Sequence, residues 1–213
     1  MFETKLGNQL ENQFVEFIQS EMQQDLAHDM NHVLRVVKTA KELCASEGAV
    51  LEVVLPAAYL HDCFSFPKNH PDRAKSSQVA ANKAVEFLAS IDYPSQYFEA
   101  IHHAIVTHSF SANIEPKTLE AQIVQDADRL DALGAIGIAR CIQVSSSLGV
   151  SLYDAEDPFS EDRDLNDRLY TIDHFYTKLF KLKDTMNTLS AKAEAEKRTV
   201  FMEEYLKQLG AEI

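Results

Sequence analysis

His61 and Asp62 stand side by side at the end of the apolar run Val53-Val54-Leu55-Pro56-Ala57-Ala58-Tyr59-Leu60. A neutral imidazole and a carboxylate are each costly to bury alone. A divalent cation satisfies both, taking nitrogen from one and oxygen from the other. Two other stretches could complete the ligand set. Upstream, His32 lies beside Val33, Val36 and Val37 in a segment of helical spacing. His28 shares its face four residues earlier, but it falls at the polar start of that helix, so His32 is the expected ligand. Downstream, Gln125-Asp126-Ala127-Asp128-Arg129-Leu130-Asp131 offers three carboxylates in a mostly apolar region. Two imidazoles and two carboxylates leave a six-coordinate ion about two open positions, for water and a substrate oxygen. Such an ion lowers the pKa of water and polarises a phosphoryl group or another electrophile. Manganese or magnesium suits this donor set; cobalt, nickel and iron are compatible, whereas structural zinc wants more sulfur. Cys63, next to the pair, reads as a small buried hydrophobe.

The elements that must position these groups read as helices, since strand alternation is nearly absent. Leu10, Phe14, Phe17 and Ile18 mark a first helix. A second runs from about Asp29 to Glu47, with Val33, Val36, Val37, Ala40 and Leu43 inward and Gly48 as its stop. Asp29, one turn before His32, could accept from the ring nitrogen turned away from a metal. A third helix, from about Leu51, carries the apolar run into His61-Asp62; Pro56 costs it one backbone donor and is expected early in the helix or at a kink. His61 and Asp62 lie about 100° apart on an ideal helix, so both reach one ion only at the helix end. Phe64 to Ala74 reads as a loop. Ser76 or Ser77 is placed to cap a fourth helix through Ala89, Pro94 to open a fifth reaching His108, and Thr118 to start a sixth. This sixth helix is expected to pass through the Asp cluster and continue to Val144, with Gly134 and Gly137 inside it. Ser145 to Asn166 reads as a long acidic loop, of a length often functional or mobile. Helices over about 170–189 and 191–209 finish the chain.

Composition bounds the class. The 213 residues are 46% hydrophobic and 25% charged, with six Gly and six Pro, which fits one globular unit with a sizeable core. We expect a single all-α domain over 1–213, its core at about 25–145 and the helices of 170–210 packed on it. A net charge of −13 argues against a nucleic-acid polymer as partner, because a phosphate backbone wants a basic surface. A small phosphorylated substrate stays open, since a bound metal inverts the local field. Three unpaired-looking cysteines, Cys44, Cys63 and Cys141, read as free thiols in a reducing compartment. The segment Met1-Phe2-Glu3-Thr4-Lys5 has no signal-like apolar region and no run approaches a membrane span. The expectation is a cytoplasmic protein with no membrane partner, with a homo-oligomer left open.

The pattern His32 … His61-Asp62 … Asp128 resembles the HD-domain superfamily of metal-dependent phosphohydrolases. Leu60-His61-Asp62 after an apolar helix and Ala127-Asp128-Arg129-Leu130 carry the likeness. The resemblance selects Asp128 over Asp126 and implies an all-α helical bundle with His32, His61, Asp62 and Asp128 as metal ligands, one ion per chain. Pro67-Lys68-Asn69-His70-Pro71, His108-Ser109-Phe110-Ser111, the long segment Gln125 to Gly137, Asp157-Pro158-Phe159 and Asp173-His174-Phe175 extend it to the bacterial YedJ/YpgQ branch, over about residues 25 to 210. That branch implies a nucleoside triphosphate cleaved to monophosphate and pyrophosphate, with manganese favoured. Ser65 stands where some members carry a Glu for proton transfer, so Asp128, the activated water itself or a nearby His takes that part.

Around this centre, Lys68 and Arg73 are the cations best placed for substrate phosphates, with His70 a third substrate contact. His108, near a helix end, is the candidate accessory catalytic group. His102, His103 and His108 cannot converge on one point of a helix, because His102 and His108 are about 240° apart around its axis; this weighs against a second ion. Two other readings share the scaffold: a non-catalytic regulatory domain binding metal or nucleotide, and a dinuclear iron oxygenase.

Overall fold

Every regular element of the computed structural model is helical. It describes residues 5–22, 29–67, 70–109 and 114–213. In order these are α1 (Lys5–Glu21), α2 (Met30–Glu47), α3 (Leu51–Leu60), α4 (Ser76–Ser90), α5 (Phe98–His108), α6 (Leu119–Leu130), α7 (Gly134–Ser147), α8 (Thr171–Thr177) and α9 (Leu189–Gly210). Short 3₁₀ turns lie at Arg73–Lys75, Ser95–Tyr97 and Leu179–Thr185. Among the described residues the only extended pairing is an isolated bridge between Ser151 and Tyr170. Among the described residues, no helix is long and apolar enough to cross a membrane. The chain separates into two compact units, Met1–Asp128 and Arg129–Ile213.

The first unit is built around α3, whose residues Val53 to Leu60 are all buried. It packs against α1, α2, α4 and α5. A helix apolar on all sides belongs in the middle of a bundle. Pro56 sits inside α3, where it removes the N–H that would have bonded the Glu52 carbonyl. The buried Tyr93 donates its hydroxyl to that carbonyl at 2.7 Å, so the proline leaves no orphaned acceptor there. On the other side, Tyr59 donates to Glu11 Oε2 at 2.7 Å, and Lys41 from α2 reaches the same carboxylate at 2.7 Å. This network, with Phe14 and Ile18 fully buried, fastens α1 to the bundle.

Asp29 is the N-cap of α2, and Gly48 closes it. The Asp29 carboxylate accepts from the backbone N–H of His32 at 2.8 Å. This corrects the expectation of an Asp29 bond to the imidazole: the first turn of a helix has unpaired N–H groups, and a capping carboxylate goes to them. Neither Ser76 nor Ser77 caps α4 through its side chain; Ser76 Oγ instead donates to Arg73 O and accepts from Phe66 N–H. Pro94 opens a 3₁₀ turn, and α5 proper starts at Phe98.

The expected sixth helix is two. The chain breaks at 131–133, where Leu133 is extended and Gly134 adopts φ +71°, a backbone state that side chains disfavour. A Cβ on Gly137 would lie 2.3 Å from the Ala132 carbonyl oxygen, so the turn closes only over a residue without one. Guanidinium groups take the freed acceptors: Arg198 Nη1 bonds Leu130 O at 2.7 Å, and Arg140 Nη1 bonds Asp131 O at 3.0 Å and Asp131 Oδ2 at 2.7 Å. Ile136 is half-exposed, whereas Ile138 is buried. The helix expected over 170–189 is α8 followed by the 3₁₀ turn Leu179–Thr185.

The long acidic segment is tied down by its own carboxylates. Asp157 accepts from the N–H groups of Glu161, Asp162 and Arg163 at 2.9–3.0 Å. Arg163 forks onto Asp173 at 2.6 and 2.8 Å and lies over the Tyr170 ring at 4.5 Å. Three backbone donors and a bidentate pair order a segment whose length suggested a functional or mobile loop.

Candidate metal centre

The site lies wholly within the first unit. His32 comes from the first turn of α2; His61 and Asp62 form the turn that leaves α3; Asp128 lies on α6. His32 and His61 are 1% and 0% exposed, whereas the Asp128 side chain keeps 28% exposure and Asp62 16%. The imidazoles are thus sealed in, while the carboxylates form the open side.

The donor atoms converge. His32 Nε2 and His61 Nε2 are 3.4 Å apart. His32 Nε2 lies 3.4 Å from Asp128 Oδ1 and 3.8 Å from Asp62 Oδ2. His61 Nε2 lies 3.6 Å from Asp62 Oδ2 and 3.9 Å from Asp128 Oδ1. Neighbouring ligands of an octahedral ion with bonds of about 2.1 Å stand roughly 3 Å apart, so the set needs only a small contraction to hold one. His61 Nδ1 donates to the Ala58 carbonyl at 2.8 Å. That bond fixes the neutral tautomer and leaves the Nε2 lone pair facing the cluster. Burial pushes the His61 pKa down to about 4, against the pull of Asp62 and Asp128, so at neutral pH it has no proton to release before binding a metal. Burial alone would raise Asp128, but the hydrogen bond and charge of His32, reinforced by His61 and His108, hold it well below the usual carboxylate range.

His108 joins the same cluster. It ends α5, is 6% exposed, and its Nε2 lies 3.4 Å from Asp62 Oδ1. Its Nδ1 donates to Ile105 O at 2.6 Å, and its ring meets the His61 ring edge-on at 4.9 Å between centroids. Burial lowers its pKa, but the hydrogen bond and charge of Asp62 outweigh this and raise it. Two sets of donors could therefore hold a metal ion, His32–His61–Asp128 and His61–Asp62–His108, sharing His61. The contact between His108 and Asp62 has no signal in the sequence, because a separation of 46 positions carries no spacing rule.

The other described candidates have partners of their own. His70 stacks on Phe66, centroids 4.4 Å apart, and its Nδ1 accepts from Asp72 N–H. Arg73 donates to the Phe66 carbonyl, so both residues serve the loop that leaves the centre. Lys68 and His28 lie outside the described residues. His102 Nε2 lies 3.0 Å from both Gln78 and Asn82, and His103 Nε2 accepts from Lys117 N–H at 3.0 Å, so each is engaged away from the cluster. Arg129 donates to Thr185 O at 2.6 Å, and His174 bonds Asp167 at 2.9 Å. Asp131 is held by Arg140. Asp126, fully buried two residues from Asp128, is on another side of α6, since alternate residues of a helix do not share a face. Asp126→Asn is therefore expected to leave divalent-metal content within about twofold of the parent, measured by elemental analysis after dialysis. Loss matching that of an Asp128 variant would reassign the ligand.

A family model for the HD domain matches residues 30–133, the interval that contains all five clustered residues. YpgQ of Bacillus subtilis (strain 168) is 33% identical over 190 residues, covering 87% of this chain and 84% of YpgQ. A crystal structure of B. subtilis YpgQ in complex with ADP is similar with a TM-score of 0.71 at 31% identity, over 95% of this chain and 96% of that one. A crystal structure of an HD-superfamily hydrolase from Bacillus thuringiensis gives a TM-score of 0.73 at 32% identity over 96% of each chain. With its His–Asp cluster inside an all-helical bundle, the chain belongs to the HD superfamily of hydrolases, in the YpgQ-like branch.

Proposed function

We propose that this hydrolase cleaves nucleoside triphosphates, deoxynucleotides included, to the monophosphate and pyrophosphate, using one divalent ion held by His32, His61, Asp62 and Asp128, with manganese favoured. The observation that carries this reading is the convergence of two buried imidazole Nε2 atoms and two part-exposed carboxylates from three helical segments. The ADP bound to the YpgQ crystal structure supports a nucleotide as ligand. The ion, when bound, polarises a phosphoryl oxygen and lowers the pKa of water.

The chain's own groups then have separable tasks. Asp128, the most exposed carboxylate of the cluster, orients the attacking water; held well below the usual carboxylate range, it is a weak base, so the proton passes to solvent on the open side as the oxygen bonds to the α-phosphorus. The bond to the β-phosphate oxygen breaks and pyrophosphate leaves. His108, with its raised pKa, neutralises developing negative charge on the phosphate. Lys68, Arg73 and His70, on the loop after Asp62, are assigned to the outer phosphates. Ser65 is half-buried, with its Oγ turned to the Phe66 carbonyl at 3.4 Å, and takes no part in proton transfer.

The test is a screen for phosphate and pyrophosphate release from nucleoside and deoxynucleoside mono-, di- and triphosphates with manganese, magnesium and cobalt. Pyrophosphate in equal yield with the monophosphate is the expected product pair. No release with any metal, together with tight nucleotide binding, would move the chain to the regulatory class. Elemental analysis is expected to give one ion per chain; two irons would move it to the oxygenases.

A further inference from the structure

Gln125 lies on α6 three residues before Asp128, and residues three apart share a helix face. It is 3% exposed, and its side-chain amide donates to the Thr107 carbonyl at 2.7 Å. Thr107 immediately precedes His108 at the end of α5. The last carbonyls of a helix have no partner within it. In this last turn, His108 Nδ1 takes the Ile105 carbonyl and Gln125 takes that of Thr107. One buried amide thus joins the turn that carries His108 to the turn that carries Asp128.

We propose that Gln125 is a positioning residue: its bond to the Thr107 carbonyl sets where the His108 ring stands relative to Asp62 and Asp128. The role rests on the assignment of His108 above, and it acts through His108 rather than on substrate. A buried carbonyl left without its donor pulls the helix end toward another partner. His108 sits one residue from that carbonyl, and its Nδ1–H bond to Ile105 lies within the same turn. His61 is the internal control, because its Nδ1–H bond to Ala58 belongs to the α3 terminus.

The experiment compares Gln125→Leu, which removes the donor, and Gln125→Glu, which sets a carboxylate against the carbonyl, with the parent. Gln125→Met, with an unbranched stem closer in length to Gln, replaces either that fails to fold. Proton exchange of the His108 and His61 ring N–H groups is followed by nitrogen-edited NMR on metal-free protein, with His108→Ala for assignment. The expected result is exchange at least tenfold faster at His108 and unchanged within twofold at His61. Equal acceleration at both, or none at His108, overturns the proposal. In parallel, Gln125→Leu is expected to lower kcat about tenfold with KM within twofold, and by less than twofold in a His108→Ala background; an equal factor in both backgrounds makes the residue merely structural and also overturns it. If the parent hydrolyses no nucleotide, the proposed activity fails while the exchange measurement still decides the role of Gln125.

Discussion

Asp128→Ala and Asp62→Ala should each abolish turnover together with metal retention. Each removes one of the four proposed donors, and disturbing even an outer partner of a metal ligand costs about 10–100-fold, so removal of a ligand is expected to cost more than about 100-fold in kcat/KM. The stability readout is independent of substrate. A metal that binds only the folded state adds about 2.7 kcal/mol at a concentration 100 times its Kd. Manganese should therefore raise the melting temperature of the parent and leave that of both variants nearly unchanged. The two variants should differ in one respect. Asp62 also faces His108 at 3.4 Å, so Asp62→Ala returns the His108 pKa toward the lower value that burial favours, whereas Asp128→Ala leaves the Asp62 contact in place. If both variants keep metal and turn over at the parental rate, the centre is not where these side chains meet.

The second large effect is on stability, in the second unit. The Asp173 side chain is 0% exposed and accepts both arms of Arg163, at 2.6 and 2.8 Å, as well as Asn166 N–H at 2.6 Å. Asp173→Asn places amide hydrogens against those donors and leaves a guanidinium without its counter-charge. The expected loss is about 3 kcal/mol by urea denaturation, the low end for a broken buried pair, because the Arg163 side chain keeps 21% exposure. The pH dependence follows from the same contact. Burial would raise the Asp173 pKa, but the Arg163 and Asn166 hydrogen bonds outweigh it and lower the value below its ordinary one. A depressed folded-state pKa means the stabilisation is complete above the unfolded-chain value of about 3.9 and is lost as pH falls through the folded one. Asp173→Asn should therefore show a shallower loss of stability below about pH 4 than the parent. A variant as stable as the parent at pH 7 would mean that the pair only orders the 151–170 segment without holding the unit together.

What was legible from residues alone is what depends on local pattern. The apolar run into His61-Asp62 could only be a central helix, since nothing along Val53 to Leu60 is polar enough to face water. Asp29 and Gly48 marked the ends of α2 because capping chemistry is local. The all-α class followed from the near absence of period-two alternation. Where the residues misled, a distant partner decided. Tyr93 makes Pro56 tolerable inside α3 by taking the Glu52 carbonyl, and nothing near position 56 announces it. Arg140 and Arg198 take the carbonyls at the end of α6 and let two helices replace the single one that the periodicity over 119–144 suggested.

Residue types alone point to the kind of chemistry: two imidazoles and several carboxylates, at the ends of apolar helices, ask for a hard cation because burying them otherwise costs too much. Packing of the folded chain set which groups meet. It joined His108 to Asp62, put Asp131 on Arg140, and left the His102 and His103 nitrogens on partners elsewhere. Residue type and spacing fix what a side chain can bind and which way it faces on its own helix. The distance between two helices is fixed by packing and by side-chain bonds such as that of Gln125 to Thr107, whose two ends lie far apart along the chain.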